Sequence, residues 1–155
     1  ERLLELSAAS GVSHSVTLVS RSGFRRGPGA KTPKAGLSAE LLRLWNKHPH
    51  FFIFRQYLER VDDFLLGGEL PECRAGTQSF NIDHLGNVSA CIEKIDTVAG
   101  NMRTESLSAI AARLARAQDA KGCQECWTAC RGFSQYLGAG GSPRAWKDLA
   151  GRLRN

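Results

Sequence analysis

Cysteine is missing from the first 72 residues of this 155-residue chain, and all five cysteines fall between Cys73 and Cys130. Other features are missing throughout. No apolar run approaches the ~18–20 residues that a membrane-spanning helix needs; the longest patches are short, such as Phe51-Phe52-Ile53-Phe54. No basic segment followed by an apolar core opens the chain, so a secretory leader is not read there and a cytoplasmic location is expected. There is no GxSxG elbow, phosphate loop or HExxH motif, which removes the commonest hydrolase, nucleotide-binding and zinc-protease signatures. His14, His48, His50 and His84 show no metal-ligand spacing among themselves. Methionine does not begin the chain; Glu1 does, and the sequence is read as part of a longer protein.

What is present is a globular composition, 42% hydrophobic and 23% charged, outside the range of a disordered tail. The net charge of +6 is spread in small groups: Arg21, Arg25, Arg26 and Lys31, then Arg113 and Arg116, then Arg144, Lys147, Arg152 and Arg154. No stacking aromatics are interleaved with them, so a nucleic-acid surface is not expected. The balance speaks mainly to solvated faces.

Residues 1–11 read as a helix with Leu3, Leu4, Leu6, Ala8 and Ala9 on its apolar side and Gly11 at its C-terminal cap. Residues 12–19 (Val12, Val16, Leu18, Val19) read as a strand. A helix–glycine–strand unit is the grammar of a parallel α/β fold, and a parallel strand needs neighbours on both sides. The chain itself offers none. Residues 21–36 form a glycine- and proline-rich linker. Ser38 is placed as N-cap of a helix carrying Leu41, Leu42, Leu44 and Trp45 that Pro49 ends. A second helix is expected over 51–66, with Phe54, Leu58, Val61 and Leu65 on one face and Gly67-Gly68 as its stop.

From residue 79 the character changes. Ser79–Asp83 alternates, His84-Leu85-Gly86-Asn87 is a turn, and Val88–Cys91 returns, which makes a β-hairpin. Residues 92–106 read as irregular. Residues 107–121 form a helix with Leu107, Ile110, Ala111, Leu114 and Ala115 as its stripe, and Gly122 caps it. Ser142-Pro143 opens a last helix that runs to about Leu153.

The cysteines carry the chemistry. Cys123 and Cys126 are two residues apart, which lets one tight turn aim both thiolates at a single centre. Cys73 precedes the hairpin and Cys91 closes it; a hairpin brings its ends together, so these two meet despite seventeen intervening residues. Two local pairs make a four-thiolate site, suited to a structural zinc or to an iron–sulfur cluster. Trp127, between the cysteines, either shields such a centre or simply packs; Arg131 reads as a solvated arginine or as a donor to a bound group. Asp62, Asp63 and Asp83 read as caps and turn formers.

Cys73-Arg74-Ala75-Gly76, Phe80-Asn81-Ile82-Asp83, Gly86-Asn87-Val88 and Cys91 resemble the opening of the SPASM or twitch extension of radical S-adenosylmethionine (SAM) proteins. Twelve residues separate Cys73 from Gly86 and four separate Gly86 from Cys91, as in that pattern. Gly100-Asn101, the helix start at Ser106-Leu107, and the closing Cys123, Cys126 and Cys130-Arg131-Gly132 also fit. The full SPASM pattern has seven cysteines and two auxiliary clusters; five suffice for one, as in the twitch form.

The resemblance implies an architecture. Residues 1–36 would end a radical SAM partial (β/α) barrel and its linker, and 37–72 would be connecting helices. Residues 73–137 would be a small α+β SPASM/twitch extension with a hairpin and a cysteine knuckle, and 138–155 a C-terminal helix. It implies one auxiliary [4Fe–4S] cluster on Cys73, Cys91, Cys123 and Cys126, with Cys130 as a fifth candidate that replaces one of them or sits beside the cluster. It further implies a missing N-terminal barrel holding SAM and a second [4Fe–4S] cluster, a peptide or small-molecule substrate, and an electron donor such as a flavodoxin or ferredoxin. The C-x3-C-x2-C triplet that binds the SAM cluster in the family is absent, so SAM cleavage by this chain alone is not expected. A structural zinc module of an interaction protein is the alternative.

Overall fold

The computed structural model describes residues 1–21, 35–116, 122–138 and 141–153. Arg25, Arg26, Lys31 and Arg154, most of the linker, the last five residues of the helix expected over 107–121, and Gly140 lie outside them.

Helix α1 (Arg2–Ala9) ends as its sequence dictates. The amide of Gly11 donates to the Ala8 carbonyl and that of Val12 to the Ser7 carbonyl, the paired bonds of a glycine-terminated helix. Its expected apolar side is mostly uncovered: Leu4 is buried, whereas Leu3 and Leu6 are 68% and 63% exposed. The strand expected over 12–19 does not form. Val16, Leu18 and Ser20 turn inward and their neighbours outward, the alternation of a strand, but the sole pairing is one isolated parallel bridge from His14 to Phe51. An extended segment without a ladder partner is not a strand, and among the described residues none flanks it.

Helix α2 (Leu37–Lys47) begins one residue before the expected cap, with Gly36 at the N-cap position. Its orphan amides are met from elsewhere in the chain. The Asp62 carboxylate accepts from the amides of Gly36, Leu37 and Ser38, while the Ser38 hydroxyl accepts from the Asp62 amide. Two helix starts thus cap each other. The helix expected over 51–66 is two, α3 (Arg55–Glu59) and α4 (Val61–Leu66), broken at Arg60. Phe54, Leu58 and Val61 are buried as expected, joined by Phe64, with Leu65 only partly covered. The break turns the two short helices onto different neighbours.

The hairpin is present: β1 (Asn81–Ile82) pairs antiparallel with β2 (Asn87–Ser89), Ile82 opposite Val88. Gly86 sits in the turn at φ +87°, and Asp83 closes it by accepting from the amides of Leu85 and Asn87. The stretch expected to be irregular holds a 3₁₀ turn at Ile92–Lys94 and a third strand, β3 (Val98–Asn101), beside β2. The sheet order is β1-β2-β3. Helix α5 (Leu107–Arg116) packs Ile110 and Leu114 onto Val88, a small second core. Helices α6 (Ala129–Leu137) and α7 (Pro143–Arg152) close on the main core around Phe51, Tyr57, Leu58, Val61 and Trp127. The region is therefore a mixed α/β arrangement with a three-stranded antiparallel sheet. Among the described residues no helix is long and apolar enough to cross a membrane.

Candidate metal centre

The cysteines sit at the seam between the two cores. Cys73 enters from the segment after α4, just before a tight turn in which the Gly76 amide donates to the Ser79 carbonyl. Cys91 lies two residues after the end of β2 and caps the start of the 3₁₀ turn, where its Sγ accepts a hydrogen bond from the Glu93 amide at 3.4 Å. Cys123 and Cys126 lie on the loop leading into α6.

That loop is held from all sides by residues far away in sequence. The Gln124 side chain exchanges two hydrogen bonds with the Leu70 backbone, three residues before Cys73. The Glu125 carbonyl accepts from the Arg21 amide, and the Thr17 hydroxyl accepts from the Ala129 amide. Trp127, fully buried, stacks on Tyr57 with ring centres 5.6 Å apart and planes at 12°. The two also exchange bonds: the Tyr57 hydroxyl donates to the Trp127 carbonyl at 3.0 Å, and the Trp127 indole donates to the Tyr57 carbonyl at 2.9 Å. Trp127 is thus a core residue that fixes the loop from behind.

Cys73, Cys91, Cys123 and Cys126 line one cavity of about 190 Å³, whose other walls include Ala90, Val98, Ala99 and Leu114. Cys73 and Cys126 are buried, Cys91 and Cys123 half-buried, and Cys130 exposed. A second cavity, of about 170 Å³, shares Cys73, Cys91 and Cys126 and adds Cys130 and Arg131. Cys73, Cys91, Cys123 and Cys126, the four expected to meet, thus all line the first cavity. Among the described residues no group of three or more His, Cys, Asp or Glu is gathered closely enough for a single metal ion. Four thiols lining one cavity are the donor set that either an iron–sulfur cluster or a zinc ion takes.

The electrostatics agree. Burial pushes the Cys126 thiol up to about 11, a rise opposed by the Arg131 guanidinium and reinforced by Cys91 and Cys73. Burial likewise raises Cys91, opposed by the Glu93 amide. Thiols in such a dry place stay protonated unless a cationic metal draws them into ionisation.

Arg131 departs from the solvated reading: it is 6% exposed. Its Nη1 donates to the Cys126 carbonyl at 2.7 Å and its Nη2 to the Pro71 carbonyl at 2.6 Å, tying the segment before Cys73 to the 123–126 loop. Its Nε is buried without a partner. Arg131 also lines the second cavity, and a guanidinium in that wall suits an anionic group held there. Tyr57, Gln124 and Glu93 were not legible as parts of the site; their spacing from the cysteines carries no periodic or motif signal.

Comparison with curated proteins and with solved structures finds no match. Residues 73–131 match the model of SPASM, an iron–sulfur cluster-binding domain. The match opens on Cys73 and closes on Arg131, so it spans all five cysteines, the lining of the first cavity and all but Ser134 of the second. Over residues 73–131, then, this chain is similar to the SPASM iron–sulfur cluster-binding domain.

Proposed function

We propose that Cys73, Cys91, Cys123 and Cys126 ligate one auxiliary [4Fe–4S] cluster, and that the chain is the C-terminal portion of a radical SAM enzyme that modifies a peptide or small molecule. The observation that carries this is the shared cavity: four thiols from three distant segments line it, within a stretch that matches an iron–sulfur domain. A cluster held there supplies one-electron transfer. The chain's own residues do the rest. The Glu93 amide hydrogen-bonds the Cys91 sulfur, Val98 and Leu114 give the cavity part of its apolar wall, and the Tyr57–Trp127 pair holds the knuckle in place. Cys130 is exposed and lies on the second cavity alone, which favours the four named ligands over any set containing it.

Residues 73–137 form the cluster domain in this reading, 37–72 the connecting helices, 138–155 a closing helix, and 1–36 the end of the barrel and its linker. Leu3, Leu6, Val12 and Val19 are all more than half exposed, the composition of a face that packs on further protein. SAM, its own [4Fe–4S] cluster and the docking of a flavodoxin or ferredoxin belong to that further part.

The test is metal and sulfide content with an absorption spectrum, on chain prepared without oxygen, for wild type and five Cys→Ser variants. About four irons and four sulfides per chain are expected. Loss of most of the iron is expected in Cys73→Ser, Cys91→Ser, Cys123→Ser and Cys126→Ser, and retention in Cys130→Ser. Zinc without sulfide would replace this reading by a structural zinc module. Iron lost with Cys130→Ser and kept with Cys123→Ser would reassign the fourth ligand.

A further inference from the structure

Arginine 131 is a buried cation without an ion-pair partner among the described residues; the Glu93 carboxylate, also buried and unpaired, lines the same cavity without reaching it. Among the described residues no ion pair involves it, and its two outer nitrogens are spent on backbone carbonyls. Its guanidinium lies 5.5 Å from the Trp127 ring centre, which holds its plane but offers no net charge. Burying an unpaired charge is costly, and removing it for an apolar residue is often neutral or stabilising. Stability alone therefore does not account for an arginine here. Its position does: it walls the second cavity together with Cys73, Cys91, Glu93 and Cys126, and its Nε–H has no acceptor among the described residues.

We propose that Arg131 is a positioning residue that sets the electron affinity of the cluster held on the adjacent cysteines. This rests on the iron–sulfur reading given above. Four thiolates each bring a negative charge, and accepting one electron makes the bound group more negative by one. A fixed cation in a dry wall stabilises the reduced form more than the oxidised form. No bond is made or broken and no proton is needed: one electron passes from the external reductant to the cluster. The two carbonyl contacts hold the charge at a constant place in both states, so it acts without reorganising.

The experiment is a reductive titration with dithionite and mediators, followed by electron paramagnetic resonance, on wild type, Arg131→Gln and Arg131→Lys, with iron and sulfide measured on each. In Arg131→Gln the ratio of reduced to oxidised cluster, at the wild-type midpoint potential, is expected to fall at least tenfold, equivalent to 59 mV for one electron. Arg131→Lys keeps the charge and is expected to retain most of that ratio. An Arg131→Gln variant with wild-type iron and an unchanged ratio overturns the proposal. If that variant fails to hold iron, pulsed resonance on reduced wild type with ¹⁵N-arginine decides. A nitrogen coupling present in wild type and lost in Arg131→Lys supports it, and no such difference overturns it. Wild type that holds zinc and no sulfide removes the underlying reading, an outcome distinct from an unshifted ratio in an iron-loaded variant.

Discussion

Removing the hydroxyl of Tyr57 tests how the cysteine knuckle is anchored. Tyr57 is fully buried, and its hydroxyl is the donor to the Trp127 carbonyl, one residue after Cys126. In Tyr57→Phe that carbonyl is left without this donor in a dry site, a loss of about 1–3 kcal/mol at neutral pH. The same hydroxyl brings a pH dependence. Burial, above all, raises it from the ordinary 10.0 to about 12. The folded chain thus holds the phenol proton more tightly than the unfolded chain. The resulting stability is complete below about pH 10 and is lost as pH rises toward about 12. The assay is urea denaturation of wild type and Tyr57→Phe under reducing, oxygen-free conditions from pH 8 to pH 11.5. The wild type should be the more stable at pH 8, and the gap should close through the alkaline range, because only the wild type has this group to ionise. Lysine and cysteine titration is common to both and cancels. Parallel curves across the whole range would refute the reasoning.

Three further outcomes are expected. Gly132→Ala should lower stability, since a Cβ there would sit 2.6 Å from Tyr57 Cδ2; overpacking of about 1–3 kcal/mol exceeds or offsets the roughly 1 kcal/mol that alanine gains over glycine in a helix, and thermal unfolding measures the net. Asp62→Ala should cost about 1–2 kcal/mol by stripping the acceptor from three amides at the start of α2, with Ser38→Ala milder, as read from unfolding followed by circular dichroism. Metal loading should strengthen as pH rises from 7 to 9, because Cys126 and Cys91 are held protonated by burial and must release protons to bind; competition with a chelator at each pH checks it, and pH-independent affinity would contradict it.

Much of the site was legible in the linear order of residues, for a local reason. The 123–126 pair needs only one turn, and the Asp83–Asn87 turn with Gly86 forces the hairpin that returns Cys91 toward Cys73. Helices α5 and α7 follow from an apolar stripe and a Ser-Pro start, again local physics. Where a segment's fate depended on neighbours, the order of residues misled. Residues 12–19 alternate like a strand but lack a ladder partner; the 51–66 pattern hid a break at Arg60; β3 has only a weak pattern of its own and exists because β2 offers an edge.

By itself, then, the sequence singled out the cysteines as the candidates for chemistry, since thiolate chemistry belongs to residue type and short spacing belongs to turns. Only the tertiary structure decided what surrounds them. It placed Tyr57 behind Trp127, set Gln124 against the Leu70 backbone, and buried Arg131 in the cavity wall, because burial and distant hydrogen bonds are set by chain paths that no local window contains.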